Sequence, residues 1–376
     1  MSRPRRFLFL YSRTGGGHFA AARAVADALE DRFGEKAHVT LVDIFTESRI
    51  WPFQHLPEWY PAMLGLGGWP WRIMYGASNH TTVVRGISRA LWPYVHHPLQ
   101  RLFSNHAPTD IIVSFHPVPN ALLAHHRRVY APSMPLAVVI QDFVSAPSAW
   151  FVPGHDAYFL PWPETKERAL SQGLPASKLH VTGMPVRRAF MQAMETPKHH
   201  ARAALGIDDH TPMVLFVGGG EGMGDMLPFV KALMVHKPRA QVVAITGHNH
   251  LLKQRLIQYC GASNLSVLGF EQEMPLWMRA TDILVTKAGP NTLAEAFLMG
   301  LPVIMYHAIP GQETGNPTLV EKHGAGIWAP NPQQAAKAAL HLLQHQQARL
   351  AMAEQAQRLA RPRAADAIAQ KLWDMW

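Results

Sequence analysis

The sequence predicts an α/β protein with two doubly wound parallel-sheet domains that face each other across a cleft. Short apolar runs alternate with helix-like stretches along most of the 376 residues, a pattern typical of parallel sheets covered by helices. The polar, proline-marked segment METPKHHARAALGIDDHTP interrupts the alternation near residues 192–211, and the pattern then begins again. Because ligands bind at the carboxyl ends of such strands, we expect two sheets to share one ligand cleft.

The interrupting segment sets the expected domain limits. We expect an N-terminal domain at residues 1–191 with an insert at about 48–102, a C-terminal domain at 192–360, and a last helix at 361–376 that packs back on the N-terminal domain. The predicted strands of the first domain are Phe7–Tyr11, His38–Asp43, Asp110–Phe115, Leu136–Gln141, Ala157–Leu160 and His180–Thr182. Those of the second domain are in the runs PMVLFVGGG, AQVVAITG, LSVLGF, DILVTKAG, PVIMY and AGIWAP.

Composition excludes several classes of protein. Hydrophobic residues make up 48% and charged residues 16%, so the chain is globular and not disordered. No apolar run is long enough to span a bilayer, and the opening RPRRFLFLY is too short for a signal peptide. The single cysteine, Cys260, excludes an internal disulfide framework and favours a reducing, intracellular compartment. The 22 histidines include no His-Glu-x-x-His pattern, so we predict no zinc site of that kind.

The net charge of +9 is concentrated in the first half of the chain. Residues 1–190 contain 19 Lys/Arg and 12 Asp/Glu, a net charge of +7, and no acidic residue lies between Trp59 and Thr109. This bias predicts an anionic partner for the N-terminal half, either a phospholipid surface, a phosphorylated substrate or nucleic acid.

The insert holds five of the eleven tryptophans together with several arginines. Such a mixture suits the bilayer interface, and we assign Trp69, Trp71 and Arg72 to membrane contact. It also suits stacking on nucleic-acid bases, or a helical cap whose tryptophans pack in the core. Proline and glycine residues in the insert predict short helical pieces and exclude one long helix.

Three glycines separate the first strand from the first helix, in FLFLYSRTGGGHFAAARAVADALE. A tight turn that only needs a positive φ is one interpretation. The other is close approach of a ligand to the backbone of Gly15, Gly16 and Gly17, with His18 presented beside it and free helix N–H groups favouring an anion.

A second glycine-rich turn occurs in LFVGGGEGMGDM, and TKAGPNTLAEAF places Pro290 at an early helical position with Thr292 beyond it. Two phosphate-compatible turns in one domain suggest a nucleoside diphosphate. Glu295 lies one turn further along the helix, where it could reach a ribose or simply face solvent. Neither turn carries a Walker sequence or a dinucleotide fingerprint.

Seven segments in this order resemble one protein family: SRTGGGH, DIIVSFHP, GMPVR, GGGEGMG, GFEQEMPLWM, TKAGPNTLAEAFLMGLPVI and PGQETGNPTLVEKHGAG. Together they are similar to the monogalactosyldiacylglycerol synthases and the processive diacylglycerol glucosyltransferases. These enzymes group with the lipid-intermediate N-acetylglucosaminyltransferase of peptidoglycan synthesis among inverting transferases of family 28.

The resemblance implies the GT-B fold, a UDP-sugar in the C-terminal domain, a membrane acceptor in the N-terminal domain and no metal or other cofactor. His18 and Asp142 are the implied catalytic residues, and which of them removes the acceptor proton stays open. The implied acceptor residues are Gly16, Gly17 and His116, beside the membrane residues named above. The implied donor residues are Gly219, Gly220 and Thr292 at the diphosphate, Phe270 and Met274 at uracil, Glu295 at ribose, Gln312 and Glu313 at the sugar, and Asn316, which helps shape the loop that holds the sugar.

The resulting prediction is an inverting transfer of galactose or glucose from a UDP-sugar to diacylglycerol or a similar lipid. We expect UDP-hexose, a diacylglycerol-type lipid and an anionic membrane surface as partners, and no nucleic acid. The expected location is the cytoplasm, peripheral on the inner face of the cell membrane. The alternatives are a UDP-sugar 2-epimerase-like enzyme, a transferase with another lipid acceptor, and a non-enzymatic binder of nucleic acid or membrane that uses the basic half alone.

Overall fold

The computed structural model describes residues 3–14, 16–56, 58–59, 69–259 and 264–375, so Gly15 and Cys260 lie outside the described residues. The chain divides into two units. The first comprises Met1–Arg187, Pro310–Gln312 and Arg363–Trp376, and the second comprises Arg188–Ile309 and Glu313–Pro362. The division after Arg187 falls just before the expected limit at residue 191, and the C-terminal segment groups with the first unit.

The first unit contains a parallel six-stranded sheet in the order β2-β1-β3-β4-β5-β6. Its strands are β1 Arg5–Tyr11, β2 Ala37–Asp43, β3 Ile111–Ser114, β4 Leu136–Val139, β5 Ala157–Leu160 and β6 Leu179–Val181. In register, Phe9 lies between Leu41 and Val113. The strand order reverses between β1 and β3, which is the position where doubly wound sheets bind ligands.

The second unit also contains a parallel six-stranded sheet, in the order β12-β11-β10-β7-β8-β9. Its strands are β7 Met213–Val217, β8 Gln241–Ile245, β9 Leu265–Leu268, β10 Ile283–Lys287, β11 Val303–His307 and β12 Gly326–Trp328. Here the order reverses between β7 and β10, so their carboxyl ends form the equivalent position. The predicted α/β class with two parallel sheets is therefore confirmed.

The helices connect the strands and cover both sheets. In chain order they are α1 Gly17–Phe33, α2 Ile44–Ser48, α3 Trp69–Ser78, α4 Thr81–Asn105, α5 Asn120–Tyr130, α6 Pro163–Ser171, α7 Arg188–Glu195, α8 Lys198–Ala204, α9 Leu227–Met234, α10 His250–Tyr259, α11 Met274–Ala280, α12 Pro290–Met299, α13 Gly315–Lys322, α14 Pro332–Gln344, α15 Gln346–Leu359 and α16 Ala364–Asp374. Short 3-10 turns occupy Gly34–Lys36, Phe53–His55, Ser148–Trp150 and Ala176–Lys178. Within the described part of the chain, no helix combines the length and the apolar character needed to cross a bilayer.

One face of the first sheet packs on α1 and α16. Phe7 and Phe9 of β1 share a buried cluster with Leu29 of α1 and Ile368 of α16. The ring of Trp373 stacks on Phe33 at 3.9 Å, so the last helix is fixed to the first by aromatic as well as aliphatic contacts.

The opposite face of this sheet packs on the insert, where Leu8 of β1 shares a cluster with Val95 and Leu99 of α4. The prediction that proline divides the whole insert into short pieces is wrong for its second half. Helix α4 runs for 25 residues through Pro93 and Pro98. Each proline removes one backbone hydrogen bond, and the buried apolar face of α4 against the sheet compensates for this loss.

Candidate active site

The first glycine turn places His18 at the start of α1. Gly16 has φ +75° and precedes the helix, and Gly17 is its first residue. A positive φ is the conformation that glycine adopts without strain, so the turn has a structural need for this residue type. His18 follows as the second helical residue. Its ring nitrogen Nδ1 is buried and has no hydrogen-bond partner among the described residues, and burial lowers the pKa of His18 to about 4.

His116 lies beside His18 because β3, which His116 follows, is the neighbour of β1 in the sheet. The two imidazole rings are edge to face with centroids 4.6 Å apart. Nδ1 of His116 accepts the Val118 N–H at 3.3 Å, and the Phe45 ring packs edge to face with the imidazole at a centroid distance of 5.1 Å. Burial, and secondarily the neighbouring His18, hold the pKa of His116 well below its usual range. Both rings are therefore neutral near pH 7.

Asp142 follows β4 and is buried. Its Oδ2 accepts a hydrogen bond from Trp150 Nε1 at 2.6 Å, and its Oδ1 accepts one from Gln312 Nε2 at 3.2 Å. Gln312 belongs to the short Pro310–Gln312 segment that groups with the first unit. A residue predicted at the donor sugar therefore contacts the carboxylate predicted as the catalytic base.

A cavity of about 330 Å³ joins these polar residues to a long apolar wall. His18, His116, Asp142 and Gln312 line one part of it. The apolar lining includes Ile44, Phe45, Ile50, Phe53, Trp71, Met74, Leu91, Val95, Leu99 and Leu122. Apolar cavities with a few convergent polar groups are the usual form of small-molecule sites, and this one suits a molecule with hydrocarbon chains and one polar end.

The predicted membrane residues divide between the cavity and the protein surface. Trp71 lines the cavity, whereas Trp69 and Ile73, one turn apart on α3, are 62% and 65% exposed. Arg72 is exposed next to Ile73. Ile87 on the following helix is also exposed, so the two insert helices present large apolar side chains and a cation to the outside.

In the second unit, the glycine-rich turn after β7 is tightly folded. A Cβ at Gly222 would lie 2.1 Å from the Thr246 carbonyl oxygen, so only glycine fits there. Gly219 has φ +76°, whereas Gly220 is exposed and has open space around it. Within the described residues, the N–H groups of Gly219 and Gly220 donate no hydrogen bond, and free N–H groups in such a turn are suited to phosphate.

Helix α12 begins after β10, the strand next to β7. Pro290 is its first residue, and Leu293 N–H bonds back to Gly289. The N–H groups of Asn291 and Thr292 donate to no described group, so they carry the positive end of the helix dipole. Thr292 and Glu295 are half-buried on this first turn and the next.

The residues implied at uracil follow the carboxyl end of β9. Phe270 is 51% exposed, and its ring stacks on His248 at 4.2 Å with an interplanar angle of 11°. Met274 is half-buried at the start of α11. His248 was not predicted, because its position beside Phe270 depends on the turn after β8 and not on spacing along the chain.

Glu313 and Asn316 are buried inside the second unit. Glu313 Oε1 accepts a hydrogen bond from Lys287 Nζ, and Oε2 accepts the Ile309 N–H at 2.9 Å. Asn316 Nδ2 donates to the Ala288 carbonyl at 2.8 Å. Lys287, which the sequence analysis did not select, is thus the charged partner of Glu313 at the end of β10. Across the described ranges, no group of three or more His, Cys, Asp or Glu side chains is arranged to hold a metal ion.

Comparison with known proteins identifies the family. A family model described as monogalactosyldiacylglycerol (MGDG) synthase matches residues 18–186, and one described as glycosyltransferase family 28 C-terminal domain matches residues 213–370. A probable monogalactosyldiacylglycerol synthase, chloroplastic, of Nicotiana tabacum is 35% identical over 384 residues, 99% of this chain and 70% of the relative. Monogalactosyldiacylglycerol synthase 3, chloroplastic, of Arabidopsis thaliana is 33% identical, over 96% of this chain and 79% of the relative. The chain belongs to the monogalactosyldiacylglycerol synthase family.

Membership in the MGDG synthase family confirms the predicted resemblance and the predicted glycosyltransferase activity, since proteins of this name make a galactosylated diacylglycerol. The crystal structure of Acinetobacter baumannii MurG has a TM-score of 0.65, 16% identity, and coverage of 99% of this chain and 100% of that one. UDP-GlcNAc 2-epimerase from Neisseria meningitidis, bound to UDP-GlcNAc, has a TM-score of 0.64, 16% identity, and coverage of 98% and 100%. At these identities the likeness shows the fold alone, which confirms the GT-B assignment.

The predicted location is wrong. We expected the cytoplasm and the inner face of the cell membrane, whereas these MGDG synthase relatives are chloroplastic by name. The sequence argument used only the cysteine content and the lack of a long apolar run, and these features do not distinguish one reducing compartment from another.

Proposed function

We propose that this protein transfers galactose from UDP-galactose to diacylglycerol, with inversion at the sugar carbon. The observation that carries the proposal is the apolar cavity that leads to His18 and Asp142. An alcohol with hydrocarbon chains matches both the apolar and the polar parts of this lining. Burial of each methylene contributes about 0.8 kcal/mol to binding, and the hydroxyl group would contact the polar residues. The names of the relatives support galactose as the sugar and diacylglycerol as the acceptor.

The second unit is the proposed donor site. The unengaged N–H groups of Gly219, Gly220 and Thr292 come from the two turns at which the strand order reverses. Backbone N–H groups and a helix N-terminus are a good match for a diphosphate. Phe270 and Met274 would flank the base, and Glu295 would bind the ribose. We expect the bound donor to need no metal ion, and EDTA should leave turnover unchanged.

We assign the role of base to His18. Its ring is neutral at physiological pH because burial lowers its pKa to about 4, and its Nδ1 has no described partner. Both carboxylate oxygens of Asp142 already accept hydrogen bonds. As the acceptor oxygen bonds to the sugar carbon, its proton passes to His18. Asp142, which lines the same cavity, then stabilises the imidazolium by its negative charge.

The exposed face of the insert supports contact with an anionic membrane surface. Trp69 and Ile73 can enter the headgroup region while Arg72 meets lipid phosphate. Trp71 on the same helix lines the cavity that also contains His18. A lipid bound at this face would therefore lie close to the cavity. This placement favours a membrane partner over nucleic acid.

The test is a donor panel with vesicles. Purified protein is incubated with UDP-galactose, UDP-glucose or UDP-GlcNAc and with vesicles that contain or lack diacylglycerol. Lipid mass and the anomeric configuration of the product are then measured. We expect a monohexosyl lipid of inverted configuration from UDP-galactose only when diacylglycerol is present. No lipid product from any donor overturns the proposal, and donor conversion without lipid would support the epimerase-like alternative instead.

A further inference from the structure

Lys287 is a buried cation at the carboxyl end of β10. The residue is 8% exposed, and its Nζ donates to Glu313 Oε1. An ammonium group has three N–H donors, and within the described residues this is the one hydrogen bond that Nζ makes. The other two donors make no hydrogen bond to a described residue and are available to a ligand, and a buried charge is costly unless its donors are engaged.

Glycines surround the end of the Lys287 side chain on two sides. A Cβ at Gly289 would lie 2.6 Å from Nζ, and a Cβ at Gly219 would lie 3.5 Å from Cε. The ammonium group thus lies close to the two turns, at Gly219 and Gly289, that contain N–H groups which make no described hydrogen bond. The absence of side chains at Gly219 and Gly289 leaves the space over the ammonium open to a bound molecule.

The electrostatic setting also favours an anion. Gly289 immediately precedes α12, so Nζ lies at the N-terminus of a ten-residue helix. A cation at that end opposes the helix dipole. Glu313 offsets the charge, but a buried ion pair adds little net stability to a protein. Lys287 is therefore poorly explained by stability of the fold.

We propose that Lys287 is a catalytic residue that donates hydrogen bonds to the β-phosphate of the UDP group. This inference rests on the proposed function, because it deepens the donor site. In the transfer, the bond between the acceptor oxygen and the sugar carbon forms while the bond from that carbon to the β-phosphate oxygen breaks. The electron pair goes to the phosphate, the acceptor proton goes to His18, and Lys287 keeps its proton while it stabilises the new negative charge.

Glu313 acts through Lys287 and is a positioning residue. Its second oxygen is held by the Ile309 N–H at 2.9 Å, so the carboxylate is fixed from two sides. Asn316 fixes the neighbouring turn through the Ala288 carbonyl. In this arrangement the carboxylate of the PGQE segment orients the ammonium, a role different from the sugar contact that the family resemblance implies.

The test compares the affinities of UDP and UMP, which differ by the β-phosphate alone, by titration calorimetry. For Lys287→Met we expect UDP affinity to fall by about 10- to 100-fold, the size of a lost charge-assisted contact. UMP affinity should be nearly unchanged. Glu313→Gln keeps the ammonium, so it should keep the preference for UDP. Lys337→Met, at an exposed position on α14, is the matched control and should behave as wild type.

The double variant Lys287→Met/Glu313→Gln removes both charges, so it covers the case in which Lys287→Met alone fails to fold with an unpaired carboxylate. It should also lose the preference for UDP, and its turnover should fall by about 100-fold or more, as for a lost oxyanion contact. If the double variant keeps the preference, or if Glu313→Gln alone abolishes it, the inference is overturned. Failure of wild-type protein to bind UDP would instead overturn the proposed function as well.

Discussion

Trp150 Nε1 donates a 2.6 Å hydrogen bond to Asp142 Oδ2, and both side chains are buried. Gln312 donates to the other carboxylate oxygen at 3.2 Å. Hydrogen bonds of this kind stabilise the charged form of a carboxylate. The two hydrogen bonds therefore fix the orientation of the Asp142 carboxyl group, and the proposed mechanism requires this group to carry a negative charge.

Asp142→Asn tests this requirement. The amide has the same shape and can still accept the Trp150 N–H through its oxygen, so the midpoint of thermal unfolding should change little. Turnover should fall by about 100-fold or more, because the imidazolium of His18 loses its counter-charge. Steady-state kinetics with UDP-galactose and diacylglycerol vesicles measure the loss, and calorimetry with UDP checks that the donor site is intact. Full activity in this variant would remove Asp142 from the mechanism.

The lowered pKa of His18 determines where we expect the acid limb of the pH–rate profile. Because burial lowers its pKa to about 4, the ring is deprotonated and able to accept a proton throughout pH 5–8. We expect kcat/KM to show no decline due to His18 across that range and to decline only as the pH approaches 4. His18→Ala should lower turnover by about 100-fold or more while UDP binding persists. An acid limb centred near 6.5 would contradict the assignment of His18 in its buried state.

The stability of the first unit should fall as the pH decreases from 6.5. Burial lowers the pKa of His126 and of His155 to about 4, so each is neutral when folded and gains a proton first in the unfolded chain. Stability is therefore complete above pH 6.5 and is lost as the pH falls from 6.5 toward 4. Between pH 6.5 and 5.5 we expect a loss of at most about 2 kcal/mol for the pair.

Urea unfolding at several pH values measures this loss. His126→Phe removes one titrating group, and its new ring would lie among Phe103 and Tyr130, whose rings are 4.6 and 5.1 Å from the imidazole. The variant should lose less stability than wild type between pH 6.5 and 5.5, by at most about 1 kcal/mol, since the buried His18, His116 and His155 still titrate. An unchanged slope would show that His126 is protonated in the folded state.

Much of the fold could be predicted because it depends on local pattern. The six strands of the first unit begin and end within two residues of their expected positions, since each is a short run with apolar residues and the four central strands are covered on both faces. The continuous helix α4 could not be predicted from local rules, because packing of Val95 and Leu99 on the sheet outweighs the cost of Pro93 and Pro98.

The candidate site was predictable only in part, because some of its contacts depend on tertiary packing and not on local pattern. His116 and Asp142 follow strands, so their positions at one edge of a parallel sheet depend on topology that the pattern indicates. The contact of Gln312 with Asp142 joins residues 170 positions apart, and the ion pair of Lys287 with Glu313 depends on how two turns approach each other. No spacing along the chain encodes such contacts.

The exposed apolar face of α3 predicts a separable effect on membrane binding. Trp69→Ser and Ile73→Ser should each weaken binding to vesicles containing anionic lipid, because large side chains that would enter the interface are removed. UDP affinity should be unchanged. Ile257→Ser is the matched control, since Ile257 is 50% exposed on α10 of the second unit. Vesicle sedimentation measures the binding. An equal loss of vesicle binding in Ile257→Ser would contradict the prediction, because it would show that any exposed apolar side chain contributes as much as the α3 face.

The second glycine turn predicts different outcomes at two neighbouring positions. Gly222→Ala places a Cβ 2.1 Å from the Thr246 carbonyl oxygen at φ +58°, so the backbone must shift. We expect a loss of about 3 kcal/mol or more in the free energy of unfolding. Gly220→Ala meets no atom within 4 Å, and its free energy of unfolding should change by less than about 1 kcal/mol.

UDP binding distinguishes the two glycines further. In Gly220→Ala the added methyl group lies over the turn where the diphosphate is proposed to approach, so UDP affinity should fall although the fold is intact. In Gly222→Ala both stability and affinity should fall together. Urea unfolding and titration calorimetry on the two variants provide the comparison. Normal UDP affinity in Gly220→Ala would place the diphosphate elsewhere, because a ligand held by the N–H groups of Gly219 and Gly220 leaves no room for that methyl group.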